Sequence, residues 1–283
     1  MHLIPLPSKV LDCGKQQLDL SVPHIMGILN VTPDSFSDGG LYFDKAQAIE
    51  YALSMIDDGA SIIDIGGEST RPHAAVVSIE EELQRVVPVV EALAKHDVIL
   101  SIDTSQPEVM NAAVQAGAHI WNDVRALKRP QALETAAALN IPVVLMHMRG
   151  EPDTMNDLAN YDHVTLEVKH ELLERVEQAL AVGIQTKNII IDPGFGFAKN
   201  ASQNLTLLRE LWQLNELGYP ILSALSRKRF IGEVLDGAAP MDRDIASVAG
   251  HLFSIQQGAS IVRTHNVKAT ADAIKMWQAI QTI

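Results

Sequence analysis

From residue 25 to the C-terminus, short apolar runs alternate with longer stretches of helical period, and this leaves few folds open to a chain of 283 residues. The runs at 25–30, 61–66, 98–103, 119–123, 142–147, 188–193, 220–226 and 259–265 have the length and composition of strands. Segments at 44–58, 79–96, 107–116, 161–182 and 202–217 carry helical period, many closing near a glycine such as Gly59, Gly117, Gly183 or Gly218. Strand and helix in strict alternation make βα units on a parallel sheet, and eight such units close a (β/α)8 TIM barrel. The expected fold is therefore α/β and a single domain: a cap segment or hairpin at 1–23 on the barrel's N-terminal face, then the barrel at 24–283. With 47% apolar and 20% charged residues, the chain can fill such a core.

The charge balance narrows the partners. Lys and Arg number 22 against 35 Asp and Glu, a net −13, which repels nucleic acid and anionic membrane surfaces. An anionic substrate then needs a local basic pocket. Cys13 is the only cysteine, so no internal disulfide, cysteine zinc site or CxxC redox pair can form, and a cytoplasmic setting fits. The start of the chain lacks the pattern of a secretion signal, and no stretch approaches the roughly 20 apolar residues of a membrane span.

Nearly every apolar run ends in a polar residue. The first ends at Asn30, the third at Asp103, the fourth at Asn122 and Asp123, and the sixth at Asp192. The seventh ends at Ser226 with Lys228 just beyond, and the eighth at Arg263 and His265. A barrel collects these ends at its C-terminal face, where TIM-barrel active sites lie. Side chains at i and i+2 share a face, so Ser101 with Asp103, Ile120 with Asn122, Ile190 with Asp192, and Arg263 with His265 are expected to face inward. Leu100, Ile102, Ile189, Ile191 and Val262 are then left to pack against helices. Polar connections at 32–43 and 68–78 lie on the same face and read as lids.

Other uses of these residues have to be weighed. An aspartate at a strand end often caps the next helix, and Asp103-Thr104-Ser105 ahead of Pro107 fits that role. His147 and His251 are expected to be structural. The ring nevertheless divides chemically, with carboxylates and amides on the third, fourth and sixth strands and cations on the seventh and eighth. That suits a substrate with two unlike ends. A heterocycle with paired N–H donors would take Asp103, Asn122 and Asp192 as acceptors, and a phosphate or diphosphate would take Arg263 and His265. Lys228 can serve either end, and carboxylate neighbours would keep it charged. Mg²⁺ is the natural companion of a diphosphate, with Asn30 and substrate oxygens as ligands; the histidine spacing does not suit zinc.

These residues stand in motifs that resemble those of the bacterial dihydropteroate synthases, a pterin-binding TIM-barrel family. The run MGILNVTPDSFSDGG at 26–40 is similar to the family's first signature. GGESTRP at 66–72, SIDT at 101–104, NDVR at 122–125, MHMRG at 146–150, DPGFGF at 192–197, SRK at 226–228 and RTH at 263–265 follow in family order. The resemblance covers residues from about 25 to the C-terminus. It implies condensation of 6-hydroxymethyl-7,8-dihydropterin diphosphate with p-aminobenzoate to give 7,8-dihydropteroate and diphosphate, a step of folate biosynthesis. The implied pterin pocket is Asp103, Asn122, Met146, Asp192, Lys228 and Arg263, with Asp103, Asp192 and Lys228 as catalytic groups. Asn30, Arg263 and His265 would hold the diphosphate and its magnesium. Phe36, Thr70, Arg71, Pro72, Phe197 and the residues after Lys228, Arg229 first, would face p-aminobenzoate. Sulfonamides, which imitate that substrate, should inhibit, and a homodimer through the late helices follows by analogy. A loose displacement is expected, because cationic charge developing on the methylene can spread into the ring.

Four positions depart from the family pattern. His73 and Ala198 replace customary glycines, Asn266 replaces an aspartate, and Arg229 stands where a serine is common. Arg229 can pair with the aminobenzoate carboxylate or lie in solvent at a helix start. Two other functions remain to be weighed. A methyltransferase passing a methyl from methyltetrahydrofolate to a corrinoid protein would share the pterin barrel but not need Asn30, Arg263 and His265. A catalytically silent binding module would keep the pocket without turnover.

Overall fold

The computed structural model describes residues 10–14, 16–31, 41–68 and 77–281, with the side chains of 41–44 left aside. A hairpin of β1 (Val10–Cys13) and β2 (Gln16–Asp19) precedes eight parallel strands: β3 (His24–Asn30), β4 (Ile62–Gly66), β5 (Ile99–Asp103), β6 (Ile120–Asp123), β7 (Val143–Met146), β8 (Ile189–Asp192), β9 (Leu222–Ser223) and β10 (Ile261–Thr264). Their order in the sheet is β8-β7-β6-β5-β4-β3-β10-β9, and a parallel bridge between Ile191 and Ile221 joins the two ends. The result is the expected (β/α)8 TIM barrel. The helices are α1 (Leu41–Asp57), α2 (Ile79–Leu93), α3 (Pro107–Ala116), α4 (Ala132–Leu139), α5 (Val164–Ala181), α6 (Ala201–Arg209), α7 (Arg229–Val234), α8 (Asp244–Gln256) and α9 (Val267–Gln281). Among the described residues no helix is long and apolar enough to cross a membrane.

Two core layers follow from strand alternation. Residues of one parity, among them Leu100, Ile102, Ile189, Ile191 and Val262, join the large cluster between strands and helices. The other parity fills the interior: Met26, Ile62, Ile99, Ile120, Val144, Ile190, Leu222 and Ile261 form one cluster, one residue from each barrel strand. Leu11, Cys13 and Leu18 of the hairpin join this cluster, so the predicted cap closes the barrel's N-terminal end.

Two expectations about elements need correction. The helix expected at 202–217 breaks after α6, and Leu211–Leu217 continues as a 3₁₀ helix. Leu211, Leu214 and Leu217 are buried three residues apart, the period of a 3₁₀ turn rather than an α-helix. The seventh strand, expected at 220–226, shrinks to Leu222–Ser223. Pro220 brings no N–H to the ladder, and beyond Ser223 the chain turns, Lys228 N–H donating to the Leu225 carbonyl and Arg227 adopting a φ of +57°. That turn lifts Ser226 and Lys228 out of the sheet and over the barrel mouth.

Candidate active site

Alternation continued toward the C-terminal strand ends decides which polar side chains enter the barrel. Above inward-facing Ile62, Ile99, Ile120, Val144, Ile190 and Ile261 stand Asp64, Ser101, Asn122, Met146, Asp192 and Arg263, two residues further along each strand. The register sets Asn30 beside Gly66, Gly66 beside Asp103, and Asp103 beside Asn122. Asp123, of opposite parity, leaves the site: it accepts from the Ser105 hydroxyl and from the N–H groups of Arg125 and Leu127, pinning the turn after β6. Asp103 does not cap α3. Gln106 is the N-cap residue of that helix and makes no side-chain bond there.

Arg263 is the hub. Its Nε donates to Asp64 Oδ2 at 2.6 Å and its Nη2 to Asp103 Oδ2 at 2.9 Å, a cation held between two carboxylates. Asn122 Nδ2 donates to the same Asp64 Oδ2 at 3.0 Å. Burial pushes the Asp103 carboxyl well above its ordinary range: Arg263 pulls it back down, but it must share that guanidinium with Asp64. Burial raises Asp192 to about 6, against a bond from Gly194 N–H at 2.7 Å and the opposing charges of Lys228, Lys199 and Arg263.

The opposite wall is cationic and apolar. Lys228 Nζ lies 4.0 Å from the centroid of the Phe197 ring, and Phe197 packs in a cluster with Val124, Met146, Met148, Met155 and Ala198. This surface can receive a flat ring, with Asp192 and Asn122 at its edge. The loop that carries it needs glycine: a Cβ on Gly194 would stand 1.9 Å from the His147 carbonyl oxygen, and Gly194 has φ +69°. His265 Nδ1 pairs with Ser226 Oγ at 2.9 Å. Desolvation, then the charges of Arg263, Arg227 and Lys228, hold the His265 imidazole down at about 3. It therefore meets an anion as a neutral N–H donor inside a cationic neighbourhood.

Asp103, Asn122, Met146, Asp192, Lys228, Arg263 and His265 thus converge on the barrel mouth, with Asn30 half-buried at the end of β3 and Phe197 in the wall. Phe36, Thr70, Arg71, Pro72 and His73 lie outside the described residues. Arg229 is not brought in. Its side chain is 84% exposed and pairs with Glu233 at 2.8 Å on the outer side of α7, because the first turn of that helix points it away from the mouth. Replacing Arg229 by serine should change the KM for p-aminobenzoate by less than about twofold, since exposed pairs contribute little; a larger rise in steady-state KM would return the guanidinium to the site. Asn266 has a structural reason: its Oδ1 accepts the Ala269 N–H at the start of α9 and its Nδ2 donates to Asp244, which an aspartate could not do. Ala198 takes the left-handed conformation its missing glycine would favour, at φ +48°.

Two contributors escaped the sequence reading. Asp64 is fully buried on β4. Parity with Ile62 and Gly66 could have found it, but its strand ends in glycine and showed no polar tip. Lys199 lies in a loop with no spacing signal. Its Nζ reaches His147 Nδ1 at 2.9 Å and the carbonyls of Gly194 and Phe197 at 3.0 Å. His147 Nε2 contacts Glu171 at 3.0 Å, so His147 is structural as expected and fastens the Phe197 loop to α5. His251 is buried in α8, yet neither ring nitrogen has a partner among the described residues.

The pterin binding enzyme family model matches residues 26–265. Dihydropteroate synthase of Escherichia coli K12 is 49% identical over 263 residues, 93% of each chain. The structure of the Xanthomonas albilineans dihydropteroate synthase with 4-aminobenzoic acid superposes with a TM-score of 0.92 at 50% identity, covering 98% of this chain and 99% of that one. A Yersinia pestis dihydropteroate synthase in complex with a sulfonamide drug gives 0.92 at 46% identity, covering 97% and 100%.

Proposed function

The chain belongs to the pterin-binding enzyme family and has the transferase activity of its dihydropteroate synthase relatives, and we propose that its barrel mouth performs this reaction by a loose displacement. The pterin ring lies on the Met146 and Phe197 surface, its N–H donors directed at Asn122 and Asp192. The observation that carries this assignment is the placement of Asp103, Arg263 and Asn122 around one buried carboxylate, at the same mouth as Asp192 and Lys228.

As the bond to the diphosphate lengthens, positive charge grows on the methylene and spreads into the ring. The carboxylates of Asp103 and Asp192 stabilise that charge, and Lys228 balances Asp192 in the resting site. Arg263 and the neutral N–H of His265 receive the departing diphosphate; each preorganised donor of this kind contributes on the order of 3 kcal/mol. The Arg263 Nη1 side has no partner among the described residues and is free for that role. The amino group of p-aminobenzoate is already neutral near pH 7, so position against Phe197 matters more than a general base, and no covalent nucleophile is assigned. Phe36, Thr70, Arg71 and Pro72 of the two lids complete this subsite in the proposal, excluding water from the cation.

The residues present suit a magnesium ion. A Cβ on Gly66 would stand 3.6 Å from Asn30 Oδ1 and 3.5 Å from Asp103 Cβ, so the glycine keeps one hard oxygen and a carboxylate side chain close together at the strand ends. An ion held here would keep most of its waters and take diphosphate oxygens as its other ligands. When bound, it would supply charge to the leaving group.

Purified protein mixed with Mg²⁺, the pterin diphosphate and p-aminobenzoate should release dihydropteroate and diphosphate, with sulfonamides competing against p-aminobenzoate. Pterin binding without product would leave a silent module, and methyl transfer from methyltetrahydrofolate would favour the other pterin barrel. Hairpin and barrel are proposed to unfold as one domain. The single cysteine, a buried free thiol, fits a cytoplasmic setting. A homodimer is proposed through α8 and α9, where Ile245 is 88% exposed and Met276 63%. Sedimentation should report a dimer that Ile245→Asp shifts toward monomer; a monomeric wild type would sink this arrangement.

A further inference from the structure

We propose that Asp64 is a positioning residue that fixes which end of the Asn122 amide faces the pterin, and so sets the hydrogen-bonding polarity of the pocket; this rests on the pterin-binding reading above. An asparagine side chain presents an acceptor at one end and donors at the other, and its outline barely changes when the two are exchanged. Something outside the residue must choose. Here the choice is made by a fully buried carboxylate, acceptor-only when ionised, whose Oδ2 takes Asn122 Nδ2 at 3.0 Å and Arg263 Nε at 2.6 Å. Turning the amide over would set oxygen against oxygen in a dry interior. Asn122 is therefore held with Oδ1 toward the mouth, where it has no partner among the described residues and is not sealed off. An acceptor is what the N–H edge of a pterin requires.

Both donors converge on one oxygen, so what position 64 must supply is an acceptor at that point. Asp64→Leu removes it: the Asn122 amide is then free to show Nδ2 to the ring, opposing donor with donor, and binding of 6-hydroxymethyl-7,8-dihydropterin should weaken by about 100-fold in calorimetry, the loss expected when buried polar groups face the wrong partners. Asp64→Asn, with its amide oxygen in the place of Oδ2, can still accept from both Asn122 Nδ2 and Arg263 Nε, so it should bind within about 10-fold of wild type. A role for the Asp64 charge alone would make the amide as damaging as leucine.

Thermal melts establish that each variant is folded. If the leucine variant fails to fold, the amide variant still decides: affinity near wild type supports the assignment, and a folded Asp64→Asn that binds no pterin overturns it. Wild-type affinity in a folded Asp64→Leu overturns it as well. If neither variant folds, side-chain amide NMR of ¹⁵N-asparagine wild type decides. The Asn122 pair, identified by its loss in Asn122→Ser, should be protected from solvent exchange with and without pterin; fast exchange overturns the assignment. Wild type that binds no pterin would overturn the functional reading itself, whereas wild-type binding with an indifferent Asp64→Leu removes this inference alone.

Discussion

Asp103→Asn is expected to lower kcat by about two to three orders of magnitude while changing the affinity for the intact pterin diphosphate by only a few-fold. The amide is nearly the same shape and can still accept from Arg263 Nη2, which now sits 2.9 Å from the carboxylate. What it lacks is the charge that opposes the cation developing on the methylene. Rapid-quench turnover beside equilibrium binding of the substrate separates the two effects, and near-normal turnover would remove the charge argument. Wild type should also show an acid limb in kcat/KM near pH 6 or above, since burial raises Asp192 to about 6 and holds Asp103 above its ordinary range. The active form has both carboxylates ionised, so activity falls as pH drops through those values. A limb near pH 4, where exposed carboxylates titrate, would contradict the burial on which the assignment depends.

Arg263→Ala should be the most damaging single change to stability within the site. Asp64, fully buried, and Asp103, 12% exposed, would both lose the guanidinium between them. Leaving a buried charge without its partner costs about 3–5 kcal/mol, or a fall in Tm of roughly 10 °C for a domain of this size. Asp103 already has a folded pKa above that of an unfolded aspartate, and removing Arg263 removes the chief opposing charge. A carboxyl raised on folding favours the native state fully below its unfolded pKa, and that contribution is lost as pH rises through the folded pKa. The variant's deficit in Tm should thus shrink between pH 8 and pH 5, as the unpaired Asp103 carboxyl takes up its proton. A deficit that is flat with pH would mean that the lost packing of a long side chain, rather than unpaired charge, causes the instability. Catalysis should fall with it, because the same guanidinium faces the leaving anion.

Much of this architecture is written locally. Alternation along 98–103 and 188–193 separates Leu100, Ile102, Ile189 and Ile191, which face helices, from Ser101, Asp103 and Asp192, which face the interior. Strand dihedrals fix that parity wherever the strand finally lies. The polar tips Asn30, Asp103, Asn122 and Asp192 were legible for the same reason, and barrel closure could bring them to only one rim. Asp64 carries the same signal of parity, but its strand ends in Gly66 and shows no polar tip.

Other features depend on what closure places side by side. Arg263 and Asp64 are 199 positions apart, and their contact is set by the sheet order that puts β10 next to β3 and β3 next to β4. The exposure of Arg229 depends on the turn that ends β9 and the direction in which α7 starts. The break in 202–217 depends on what Leu211, Leu214 and Leu217 meet when they are buried. By itself the sequence determined the fold class, the inward set of each strand and the chemistry available at the rim, because these rest on short-range geometry. The pairing of charges, the facing of the Asn122 amide and the length of β9 were decided only by the tertiary structure, because each depends on groups that come within bonding distance only when the barrel closes.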